Sequence, residues 1–184
     1  MPEFKEMRLN EGFLVRFGDH WGWVFGGPYA DFKPGVRRLA GVKMAAEIKA
    51  YWDVSISTKD FSVPKVEAMQ DGLIIAIDYI AKGNDLYVGC MGGTGRTGLF
   101  MACLIKSLQD AGYWHDDYDA VKAVRRLYRP HAVETNQQVE WVEDFDTTPV
   151  VDYILSLAPQ IIASKPTTTW GFVVQAVKRF FLIK

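Results

Sequence analysis

Cys90 and Arg96, with five residues between them and the hydroxyl of Thr97 immediately after, are residue types that together can act on a phosphate ester. A thiol attacks phosphorus only as its anion. Inward-pointing backbone amides, a helix N-terminus and a nearby guanidinium all favour that anion. Five residues are enough to wrap a tetrahedral dianion in main chain, after which a guanidinium at the rim can grip two phosphoryl oxygens with its planar fork. Met91, Gly92, Gly93, Thr94 and Gly95 supply that cradle. The glycines at 92, 93, 95 and 98 permit positive φ and close backbone approach. Thr97 can donate a hydrogen bond to the sulfur and ease its departure when a phosphocysteine is hydrolysed.

Such residues need a strand that ends at the thiol and a helix that starts beneath the phosphate. Asp85 to Val88 is a short apolar run, and Leu99 to Asp110 follows a helical pattern, nearly continuous in apolar residues from Leu99 to Leu108 and closed by Gly112. A strand that feeds a helix through a glycine-rich turn aims several N–H groups at one point, beside the positive end of the helix dipole. Two other readings compete. Gly93-x-Gly95-x-x-Gly98 matches a dinucleotide fingerprint, but Asp116 and Asp117, where a second strand should end in an acid, open a helical pattern instead. A structural cysteine in a tight turn leaves the placement of Arg96 and Thr97 unexplained. No Gly-Lys-[Ser/Thr] occurs, which excludes a Walker A loop.

The string Cys90 to Gly98, at a strand–loop–helix junction, resembles the C-x5-R-[ST] signature of the cysteine-dependent protein tyrosine phosphatases, including their dual-specificity branch. The resemblance extends over about Phe13 to Phe145. It implies a general acid on a loop that closes over the site. The segment Thr58 to Pro64 is similar to that loop and offers Asp60, 30 residues before Cys90, with Asp53 as the reserve. It also implies a glutamine that positions the hydrolytic water. Within Arg129 to Trp141, Gln138 matches and Gln137 is next best, although Thr135-x-x-Gln138 is equally a helix capping box. The turn Gly26 to Tyr29 should lie at the site rim. The chain departs from the family at Gly89, which usually is histidine, and at Thr58, where tryptophan often precedes the acid by two residues. Those departures motivate an alternative, a catalytically weak phosphate-binding module. No metal or cofactor is implied, and the substrate is a phosphorylated protein or a small phosphorylated molecule.

The remaining elements follow from pattern. Phe13 to Phe17 and Trp21 to Phe25 read as a hairpin around Gly18-Asp19-His20. Pro34 to Tyr51 reads as a helix striped by Val36, Leu39, Val42/Met44 and Ile48, although Gly41 weakens it. Trp52 to Ser57 alternates as a strand. Pro64 to Ala81 is a helix with Pro64 in its first turn and Gly83 at its C-terminus. Cys103 has a packing role. Asp116 or Asp117 caps the next helix, which runs to Tyr128 with Val121, Val124 and Leu127 inward; Arg125, Arg126 and Arg129 read as a solvated face, with a place at the pocket border, attracting anionic substrates, as the alternative. His20 and His131 are turn and loop residues.

Beyond Asp146, Pro149 to Leu157 and Thr169 to Ile183 read as two further helices. The second is strongly apolar and is expected to pack on the core, with a dimer contact or a membrane surface as alternatives. The 184 residues are 49% hydrophobic, which suits one α/β domain over 1–146 with a helical C-terminal extension over 147–184. The expected architecture is a central, mostly parallel sheet flanked by helices and phosphatase-like in plan. A net charge of -1 gives no nucleic-acid footprint. Two cysteines make no disulfide framework, Met1 to Asn10 lacks an apolar signal core, and no run reaches transmembrane length. A working thiolate with these features implies the cytoplasm.

Overall fold

Five strands form one sheet in the order β1-β2-β5-β3-β4. The structure, a computed structural model, describes residues 12–163. The charged segment Met1 to Asn10 and the apolar helix expected over Thr169 to Ile183 lie outside the described residues. The strands are β1 (Gly12–Phe17), β2 (His20–Pro28), β3 (Leu39–Ala45), β4 (Val54–Thr58) and β5 (Asp85–Cys90). The β1–β2 pair is the antiparallel hairpin read from the sequence, and every other pairing is parallel. Among the described residues there are five α-helices, α1 (Val66–Ala81) between β4 and β5 and, after β5, α2 (Gly95–Asp110), α3 (Ala120–Leu127), α4 (Asn136–Asp144) and α5 (Thr148–Ala163).

Side-chain alternation sorts the sheet into two faces. Phe13, Val15 and Phe17 of β1, Val24 of β2, Val42 and Met44 of β3, and Leu86, Val88 and Cys90 of β5 join one core with residues from all five helices. The opposite face carries a smaller aromatic cluster of Phe25, Phe32, Trp52 and Tyr87, to which, among the described residues, no helix contributes. Burying this much apolar surface on one side of β5 fixes its register, since a one-residue slip would turn Val88 and Cys90 outward. β5 is central, between β2 and β3, so its C-terminal end is where the parallel strands converge.

The helix expected over Pro34 to Tyr51 is instead a loop, strand β3 and a turn. Ala40, Val42 and Met44 alternate inward, as a strand requires. The pattern misled because both faces of β3 are covered, which blurs a period of two into a run that fits either element. Gly41 carried the decisive signal. A Cβ there would lie 2.4 Å from Cζ of Phe32, so the glycine marks a close approach to a strand rather than a weak spot in a helix.

Helix α1 starts two residues after Pro64, with Lys65 as N-cap, and ends where Gly83 takes φ +78°. The cap of α3 is Asp119, not Asp116 or Asp117; its carboxylate accepts from the N–H of Lys122 at 2.9 Å. Asp116 instead folds back on the N–H of Tyr118 and pairs with Arg126. Helix α5 falls where the first helix beyond Asp146 was expected, and its Val150, Ile154 and Leu157 enter the main core beside α1 and α2. Tyr153 donates to Asp78 of α1 at 3.1 Å, and Gln70 of α1 donates to the carbonyl of Asp146 at 2.8 Å. No helix among the described residues is long and apolar enough to cross a membrane.

Candidate active site

Cys90 is the last residue of β5, and Gly95 opens α2, so residues 91–94 form the turn between strand end and helix start. The Cys90 side chain is buried, and its Sγ accepts the N–H of Gly93 at 3.2 Å. Gly93 has φ +68°, and a Cβ there would lie 2.2 Å from the carbonyl carbon of Gly27. Only glycine fits. The end of β2 is thus pressed against the turn, and Tyr87 fixes it there by donating its hydroxyl to the carbonyl of Pro28 at 2.9 Å. Gly26, Gly27 and Pro28, expected in a turn, are instead the last residues of β2, and Gly27 and Pro28 abut the loop.

Arg96 is 2% exposed, and both of its terminal nitrogens meet acceptors. Its Nη1 donates to Glu47 Oε2 at 2.9 Å and to the carbonyl of Thr58 at 3.0 Å; its Nη2 donates to Glu47 Oε1 at 2.7 Å. Nη2 also lies 3.0 Å from Asp60 Oδ1. Burial alone works against this charge; the Glu47 hydrogen bonds, with Asp60 and Cys90 behind them, outweigh it and hold the guanidinium above its ordinary value. The same hydrogen bonds from Arg96 hold the Glu47 carboxyl below the usual carboxylate range. Glu47 was missed by sequence reasoning. It sits just after β3, in the segment that read as helix, and the demand for an anion was visible in Arg96 while its supplier was not.

The two candidate acids separate by position. Asp60 lies on the loop after β4 and meets Arg96, while its neighbour Phe61 takes φ +54°. Asp53 is a brace: its Oδ2 accepts the N–H of Gly41 at 2.7 Å and ties the approach to β4 onto β3.

Gln138 is buried and Gln137 exposed. The capping box is formed: Thr135 Oγ1 accepts the N–H of Gln138 at 3.1 Å, and Gln138 Oε1 accepts from the N–H groups of Thr135 and Glu134. Its Nε2 then reaches the carbonyl of Ser62 at 3.2 Å, so one side chain joins the α4 cap to the Asp60 loop. A Cβ on Gly95 would lie 3.3 Å from Gln138 Oε1, which puts that amide beside the first residue of α2.

Thr97 is fully buried, and its hydroxyl has no hydrogen-bond partner among the described residues. The expected donation to Cys90 is therefore not made in this arrangement.

The arginines after α2 do more than solvate a helix face, in contrast to the expectation from their clustering. Arg125 donates to the carbonyls of Ala132 and Val133 at 3.0 and 2.9 Å and shapes the loop before α4. Arg129 reaches the carbonyls of Gly92 and Gly93. Arg126 alone faces outward, against Asp116 and over the ring of Tyr118. Cys103 is completely buried in α2, and burial pushes its thiol up, which suits packing and not reaction.

This mostly parallel sheet, with Cys90 at the tip of its central strand and helices packed against it, is similar in fold to solved structures of phosphatases. Two solved structures carry the likeness. Tk-PTP in its active form is 23% identical, with a TM-score of 0.50 over 71% of this chain and 95% of that one. PTPMT1 is 20% identical, with a TM-score of 0.53 over 80% of this chain and 99% of that one. Among curated proteins, the uncharacterized protein MJECL20 of Methanocaldococcus jannaschii is 33% identical over 91 residues, which cover 49% of this chain and 56% of that protein. The chain thus spans just over half the length of that relative. No family model matches the sequence.

Proposed function

We propose that this chain is a phosphomonoester hydrolase of the cysteine-dependent tyrosine/dual-specificity type. The observation that supports it best is the convergence of Cys90 Sγ on a loop amide with a buried Arg96 that Asp60 already touches. In the first step the Cys90 sulfur bonds to phosphorus as the ester P–O bond breaks, and Asp60 gives its proton to the leaving oxygen. Arg96 and the amides of residues 91–95 hold the equatorial oxygens, whose charge grows in the transition state. In the second step water bonds to phosphorus, Asp60 takes its proton, and the P–S bond breaks to release the thiolate. Gln138 positions that water and Thr97 donates to the departing sulfur. No metal enters either step.

The substrate is a phosphorylated protein or a small phosphorylated molecule. Exposed Tyr29, Phe61 and Met91, each next in sequence to a residue of the site or its supporting strand, offer the leaving group an apolar rim. A thiol nucleophile and two free cysteines favour the cytoplasm. Hydrolysis of an aryl phosphate should persist in EDTA, stop with vanadate, and vanish in Cys90→Ser. Metal-dependent hydrolysis that survives Cys90→Ser would overturn the reading.

One observation favours a second reading, a phosphate-binding module with little turnover. Four protein contacts already occupy the terminal nitrogens of Arg96, so an oxyanion must compete for them. Rapid quench separates the two. An enzyme shows a burst and a phosphocysteine; a binding module shows neither.

A further inference from the structure

We infer that Arg129, seconded by Tyr128, is a positioning residue that keeps the phosphate loop's N–H groups turned inward by holding its carbonyls from outside. This inference rests on the reading of residues 90–97 as a phosphate site. A trans peptide points its N–H and C=O in opposite directions, so restraining one aims the other. The peptide between Gly92 and Gly93 shows both ends engaged: its oxygen accepts from Arg129 Nη1 at 3.1 Å, and its N–H donates to Cys90 Sγ at 3.2 Å. The next peptide is held in the same sense. The oxygen of Gly93 accepts from Arg129 Nη1 at 2.9 Å and from the Tyr128 hydroxyl, which directs the N–H of Thr94 the opposite way, into the turn. Nη1 also lies 3.4 Å from Thr94 Oγ1.

The loop needs such a clamp because its own sequence does not supply one. Gly92 and Gly93 are adjacent, and glycine rotates its peptide planes at little cost. A flip of the Gly93 carbonyl would place an oxygen where a phosphoryl group must be received and would withdraw an amide. The clamp is itself anchored. Tyr128 is the C-cap of α3 and is buried, and the Arg129 guanidinium lies 5.1 Å from the centre of the Tyr128 ring. Tyr128 also touches the space over Gly26, where a Cβ would meet its Cζ at 2.7 Å. The pair therefore bridges α3, the end of β2 and the turn.

Tungstate binding by calorimetry and turnover of an aryl phosphate test this, with thermal unfolding as the control, on the wild type, Arg129→Met, Arg129→Lys and Tyr128→Phe. Arg129→Met should weaken tungstate by about tenfold or more and lower kcat/KM by a similar factor, with the melting temperature nearly unchanged. Arg129→Lys, which can still reach one carbonyl, should recover part of both. Tyr128→Phe, which keeps the charge and removes one donor, should weaken tungstate less than Arg129→Met. Unaltered tungstate affinity in Arg129→Met and Tyr128→Phe, or a loss that only follows the melting temperature, overturns the clamp alone. A wild type that binds no tungstate overturns the phosphate site and the clamp together.

Discussion

Trp52 occupies the space that a side chain at position 89 would need: a Cβ on Gly89 would lie 2.5 Å from Cη2 of the indole. Trp52 is itself wedged against Phe32, ring centres 4.2 Å apart, and is 6% exposed. The glycine before the nucleophile is thus one half of a matched pair. The indole fills, from the neighbouring loop, the space that a larger residue at position 89 would need.

Histidine at position 89, which the resemblance would lead one to expect, should therefore not raise activity by itself. Gly89→Ala should already cost about 1–3 kcal/mol through overpacking, and Gly89→His more. Chemical denaturation reads this directly. A Gly89→Ala variant as stable as the wild type would show that the indole moves freely and that the pairing is incidental. Histidine should be tolerated better in Gly89→His/Trp52→Ala than in the single variant.

Glu47 orients the guanidinium of Arg96 through two parallel contacts, at 2.7 and 2.9 Å. Glu47→Gln keeps the shape and loses the charge. The Glu47 side chain is 42% exposed, so solvent screens the pair. The expected loss in kcat/KM is then roughly tenfold, short of the roughly hundredfold of a fully buried pair. Arg96→Lys should cost more, because an ammonium cannot reproduce the fork. Steady-state kinetics on one aryl phosphate ranks the three proteins.

The same contact carries a pH dependence whose sign is fixed. The Arg96 hydrogen bonds lower the folded-state Glu47 value below its ordinary 4.5. A depressed carboxyl contributes stability above its unfolded value and loses that contribution as pH falls through the folded one. Stability of the wild type should therefore decline more steeply than that of Glu47→Gln once pH drops below about 4.5. Urea midpoints measured from neutral pH down to about pH 3 check it. Parallel curves for the two proteins would remove Glu47 from the account.

Much of this site was readable because its chemistry is local. Cys90, the glycine turn, Arg96 and Thr97 fall within one strand–turn–helix, where a few residues set the geometry. Asp60 and Gln138 were reached only through resemblance, and the contacts at Arg96 and Ser62 now give each a physical place. Glu47 and Trp52 were not legible. Each meets its partner only after the sheet has brought β3 and β4 alongside β5, and nothing near either residue announces that partner. Arg129 was visible as a charge and misread as solvated, since its acceptors are backbone oxygens that carry no side-chain signal. β3 failed for a related reason: covered on both faces, it shows no clean period.

Thr97 offers a cleaner separation of chemistry from folding. Its hydroxyl is buried without a partner among the described residues, and its methyl lies toward Gly26, where a Cβ would be 2.8 Å from Cγ2. An unsatisfied buried hydroxyl costs about 1–3 kcal/mol, so Thr97→Val, which keeps the shape, should leave the fold equally stable or stabilise it. Loss of activity in that variant then cannot be blamed on unfolding. In the proposed second step the hydroxyl donates to the sulfur as it leaves phosphorus, so on that reading breakdown of the phosphocysteine should slow by roughly tenfold or more while its formation changes little. Rapid quench should show the burst retained, the steady rate reduced and the labelled Cys90 adduct accumulating. If burst and steady rate fall together, the hydroxyl acts on the attacking thiolate instead, and its assignment to the second step is wrong.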